Sequence, residues 1–136
     1  MRILYTFLFF PILFFGQVCD SLQMQSLINI GPLQISEINE SMGLRNGTDY
    51  NGATIYYPIN QNNLSSIVLV PGFMNTELTI QNWGPFFASH GIITMTIGTN
   101  SLTDTHVQRR DALFDAIISL KQENQRIASP LFGKLD

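Results

Sequence analysis

A chain of 136 residues, 45% hydrophobic and only 12% charged, can bury a core, which excludes a disordered or low-complexity protein and leaves room for one domain at most. Seven Lys and Arg stand against ten Asp and Glu, and no basic cluster exceeds the pair Arg109-Arg110, so the electrostatic footprint of a nucleic-acid binder is missing. Cys19 is the single cysteine, which excludes an internal disulfide and a thiolate metal cluster.

Arg2 and the apolar run Ile3 to Phe15 match the n- and h-regions of a signal peptide. The run is shorter than the roughly 20 apolar residues of a spanning helix. It is interrupted by Pro11 and leads straight into Gly16-Gln17 and Cys19-Asp20-Ser21. Export is therefore expected, with residues 1–21 as the signal, cleavage between Gly16 and Ser21, and no stable membrane anchor. Gly16 and Val18 stand where lipid attachment at Cys19 usually needs a branched aliphatic and a small residue, so a lipoprotein is not expected.

In the remainder, 22–136, Gly31 to Ile38 alternates apolar and polar residues as an edge strand does. Asn46 to Gly52 reads as a turn, and Ala53 to Tyr57 as a second strand ended by Pro58. Ser66 to Val70 and Ile92 to Ile97 have few polar breaks and suit strands buried on both faces of a mainly parallel sheet. Between them, Trp83, Phe86 and Phe87 recur at helical spacing, Pro85 fits the first turn and Gly91 the C-terminal cap. A second helix is expected from Asp104 or Thr105 to about Gln125, with Thr105 and Gln108 as a capping box. Its buried face should be Leu113, Ala116, Ile117 and Leu120, with Arg109, Arg110, Lys121 and Glu123 in water. Pro130 forbids continuation, leaving a loop from Ser129 to Asp136. A strand-helix-strand-helix order calls for a next parallel strand, without which apolar strand edges stay open.

Phosphate-binding glycine patterns and zinc spacings are absent, so no cofactor and no metal are expected. His90 fits a helix end, where it can bond free carbonyls, and His106 a solvated first turn. None of the ten serines lies in a G-x-S-x-G turn, so the chain holds no catalytic triad of its own. One segment has chemical meaning. Val70-Pro71-Gly72-Phe73 follows a strand at its carboxyl end, where open α/β sheets bind ligands. Gly72 lets the backbone turn sharply there, which leaves two readings: an ordinary turn with Phe73 as a core aromatic, or a turn whose Phe73 N–H faces a substrate oxyanion, with the neighbouring Met74 as a further substrate contact.

Ile67 to Phe73, Trp83-Gly84-Pro85 and Ala88-Ser89-His90-Gly91 together resemble the bacterial cutinase and polyethylene-terephthalate hydrolase family. Gly31-Pro32, Ala53 to Pro58, Thr99-Asn100-Ser101, Asp104, Arg109 and Ser129 to Asp136 continue the resemblance in order. It implies the N-terminal part of an α/β-hydrolase fold: first strands, oxyanion loop and first two helices, with an incomplete sheet. It further implies cleavage of carboxylic esters, polyesters included, by a Ser-His-Asp mechanism, with Phe73 giving one oxyanion N–H and a ring that packs on the acyl group. Serine, aspartate and histidine are expected beyond Asp136, so the 136 residues alone are expected to be inactive. Gly98 stands where the family commonly has Asp, and His106 where it commonly has Pro. A non-catalytic secreted interaction module and a dienelactone-hydrolase-like enzyme remain as alternatives.

Overall fold

Residues 27–136 are described in a computed structural model. The expected signal, its cleavage window and Cys19 lie outside the described residues. Four strands, β1 (Ile35–Asn39), β2 (Tyr50–Pro58), β3 (Ser66–Leu69) and β4 (Ile93–Thr99), form one sheet in the order β1-β2-β4-β3. β1 is an edge strand antiparallel to β2, β2 is antiparallel to β4, and β3 is parallel to β4. Helix α1 (Trp83–Ser89) makes the crossover between the two parallel strands, and α2 (His106–Gln125) follows β4. The mixed sheet and its two helices are those expected of a partial α/β-hydrolase fold.

Strand alternation assigns the helices to opposite faces. Ala53, Ile55 and Tyr57 of β2 join Ile93, Met95 and Ile97 of β4 in one buried cluster with Ala112, Ala116 and Leu120 of α2. Tyr56 points the other way, its ring pressed against Gly84 of α1, where a Cβ would come within 2.1 Å of it. Gly91, at φ +91°, ends α1 as expected, and its N–H donates to the Ala88 carbonyl. Both arms of the Thr105–Gln108 capping box form.

Several expectations need correction. Residues 31–34 are not strand: Ser89 holds them to α1, its Oγ and carbonyl accepting from the N–H groups of Gly31 and Leu33. β2 begins at Tyr50, inside the expected turn, because a register shift between Tyr50 and Ala53 absorbs Asn51 and Gly52. β3 is not buried on both faces; Ser66 and Ile67 are exposed because β3 is the outer strand of the described sheet. Just before β3, Leu64 forms one isolated parallel bridge with Leu135.

The stripe on α2 is rotated from the expected one. Arg109, Ala112, Ala116, Ser119, Leu120 and Glu123 are buried, while Ile117 is exposed beside Phe114 and Ile118. Small alanines let the helix approach the sheet closely, which turns the bulkier residues towards the open side by β3. Arg109 and Glu123, expected in water, are therefore inside. Glu123 is held by the guanidinium of Arg126, and the partners of Arg109 belong to the site.

Candidate active site

Parallel strands bring their carboxyl ends to one side, so the loops after β3 and β4 meet. After β3, Pro71 is buried and the chain reverses over Gly72 to Asn75, closed by the Asn75 N–H donating to the Gly72 carbonyl at 3.1 Å. The left-handed residue is Met74, at φ +61°. Gly72, expected to make the turn, has no positive φ, and a Cβ there would meet only the Asn75 side chain at 3.5 Å. Positive φ at the third residue marks a type II turn. A side chain in that conformation costs about 1–2 kcal/mol, and Met74 is held there by its N–H donating to the Leu102 carbonyl at 2.8 Å.

Within this turn the N–H of Phe73 donates to no acceptor among the described residues. The Met74 and Asn75 N–H groups are both committed. Phe73 is 63% exposed and Met74 58%. The arrangement thus presents the Phe73 backbone donor beside the exposed Phe73 and Met74 side chains, which is what an oxyanion contact beside an acyl-binding surface needs. Leu78 and Leu102 are also exposed. With Asn75, Glu77, Gly98 and Thr99 they border a cavity of about 230 Å³ next to the turn. The Glu77 carboxylate accepts from the Thr96 hydroxyl at 2.7 Å, which fixes that wall.

Arg109 reaches the turn from the second turn of α2. Its Nε donates to the Asp104 carbonyl at 3.1 Å, its Nη2 to the Leu102 carbonyl at 3.0 Å, and its Nη1 to the Pro71 carbonyl. Only 9% exposed, it forms no ion pair among the described residues. Reading the helix by its large apolar residues missed it. The signal was the row of small residues: Ala112, Ala116 and Ser119 lie on one side of α2, and Arg109 extends that row by one turn.

Neither histidine joins this site as a base. The Nε2–H of His90 donates to the Asn29 carbonyl at 2.9 Å, and its ring lies edge-on to Phe86; its partner is thus the chain before β1 and not the carbonyls of α1. His106 is exposed in the first turn of α2. Ser89, the serine closest in sequence to His90, is buried and donates to the Phe86 carbonyl.

Residues 26–136 match a family model described as PET hydrolase-like. Among curated relatives, Cutinase 1 of Thermobifida cellulosilytica is 36% identical over 87 residues, 64% of this chain and 32% of the relative. A cutinase of Thermobifida fusca is also 36% identical over 87 residues, 28% of its length. Lipase 1 of Moraxella sp. is 36% identical over 77 residues, 54% of this chain and 24% of the lipase. The chain thus spans about a third or less of the length of the curated relatives it matches.

Proposed function

This chain belongs to the PET hydrolase-like family, and on that premise we propose that it contributes the oxyanion loop of an exported serine hydrolase acting on carboxylic esters, polyesters among them. The observation that carries the reading is the uncommitted N–H of Phe73, at the exposed apex of the turn, next to the occupied N–H groups of Met74 and Asn75. In the proposed reaction, a serine Oγ outside these residues attacks the ester carbonyl and passes its proton to a histidine oriented by an aspartate. The carbonyl oxygen becomes an oxyanion that accepts from the Phe73 N–H, and a second donor comes from the residue after the serine. The C–O bond to the leaving group then breaks, the histidine returns the proton to the alcohol, and water releases the acid by the same steps. The Phe73 ring and the Met74 side chain hold the acyl part. The apolar run from Ile3 to Phe15 supports export.

Extending the reading frame past the codon for Asp136 tests the parent-enzyme reading: a strand leading into G-x-S-x-G supports it, and a frame without one removes it in favour of a non-catalytic module. With that extended protein, Phe73→Pro removes the donor together with the ring, and Phe73→Ala, which loses the ring but keeps the N–H, separates the two. Proline suits the second position of a type II turn but has no N–H. The substitution is expected to lower kcat on p-nitrophenyl butyrate by about 10²–10³ while the protein still folds. Unchanged kcat would refute the role of Phe73. Residues 1–136 alone are expected not to turn the ester over; reproducible turnover by them overturns that expectation.

A further inference from the structure

We propose that Arg109 is the positioning residue for the oxyanion donor, an inference that rests on the ester-hydrolase reading above. The turn from Gly72 to Asn75 is exposed throughout, and two of its bonds, Asn75 N–H to the Gly72 carbonyl and Asn75 Nδ2 to the Phe73 carbonyl, stay within it. Two others tie this segment to the rest of the molecule. On one side of Phe73 the Pro71 carbonyl accepts from Arg109 Nη1, and on the other the Met74 N–H donates to the Leu102 carbonyl. That same Leu102 carbonyl accepts from Arg109 Nη2. Both tethers therefore converge on one guanidinium, which also holds Asp104 ahead of the α2 cap.

An arginine does this because its planar fork offers five donors in fixed directions, enough to span three carbonyls at once. A lysine ammonium keeps the charge but not the fork. The site has no carboxylate to compete for the guanidinium among the described residues, so its hydrogen bonds go to backbone alone. Catalysis by an oxyanion donor depends on its being oriented before the charge develops. Arg109 supplies that orientation without touching the substrate.

The test compares Arg109→Ala and Arg109→Lys with the unmodified full-length protein, using p-nitrophenyl acetate kinetics and amide hydrogen exchange. Both variants are expected to lose kcat by about 10²-fold, near the value of losing a donor outright, with KM changed less than about twofold. Exchange of the Met74 amide should accelerate while that of Met95 in β4 stays protected. Added guanidinium should restore part of the kcat of Arg109→Ala and none of that of Phe73→Pro. Unchanged kcat, or a Met74 amide that stays protected in both variants, overturns the proposal. Should Arg109→Ala fail to fold, Arg109→Lys decides by the same readouts. A full-length protein without esterase activity sinks the functional reading instead, and exchange at Met74 still decides whether Arg109 fixes the turn.

Discussion

At Gly98 a Cβ would lie 2.2 Å from the Asn51 carbonyl oxygen, because the bulge at Asn51-Gly52 brings the backbone of β2 over β4 there. No side chain fits without moving backbone, which gives a physical reason for glycine where the resembling family commonly has Asp. Gly98→Ala is expected to cost about 1–3 kcal/mol, read as a lower denaturant midpoint. Tyr50 has a different dependence. Its hydroxyl donates towards the Arg45 carbonyl and Ser119 Oγ, at 3.0 and 2.9 Å, and burial above all pushes its pKa above the ordinary 10.0. A raised folded-state pKa means the folded chain holds this proton more tightly than the unfolded one. The corresponding stability is present below pH 10 and is lost as pH rises through the folded value. Chemical denaturation from pH 8 to 11 should show that loss in the parent and a smaller one in Tyr50→Phe, with Tyr56, also shifted upwards chiefly by burial, contributing the remainder.

On the scale of elements, α2 divides what a linear pattern reveals from what it hides. Its start is local chemistry: Thr105 Oγ1 accepts from the Gln108 N–H at 3.4 Å, and Gln108 Oε1 accepts from the Thr105 N–H at 2.8 Å. Thr105→Ala should destabilise the protein by about 1 kcal/mol, measurable as a fall in Tm of a few degrees. The buried stripe is a different matter, since apolar residues occur on two sides of α2 and only the sheet selects between them. Leu113 and Ile117 satisfied the helical period, yet Ala112 and Ala116 are the ones that join Met95 and Ile97 in the buried cluster, because a small side chain permits closer approach. Arg109 followed that rotation into the interior, and with it the brace on the turn. In the turn itself, Pro71-Gly72 suggested a glycine bend, whereas the tie to Leu102 imposes the left-handed conformation on Met74. That tie joins residues 28 apart in sequence, beyond any local propensity.

For the molecule as a whole, the outer edge of β3 and the adjoining side of α2 form an apolar surface. Phe114 is 59% exposed and Ile118 51%, and an open groove of about 490 Å³ runs by Val68, Leu113 and Ile117. Such a surface beside unpaired strand backbone favours association. Residues 1–136 should self-associate in light scattering at micromolar concentration, and Phe114→Lys combined with Ile118→Lys should reduce it; equal scattering by both would count against this surface. The sequence by itself determined the strand-helix-strand unit, the helix caps and the strand end that carries Phe73, because periodicity and capping act within a few residues. Its likeness to the polyester-hydrolase family is now matched by the family model and the curated relatives. Only the tertiary structure decided that Met74 makes the turn, that Arg109 is buried beneath it, and that β3 is half-exposed. Those outcomes depend on hydrogen bonds and packing between segments far apart in the chain, which no local pattern of residues encodes.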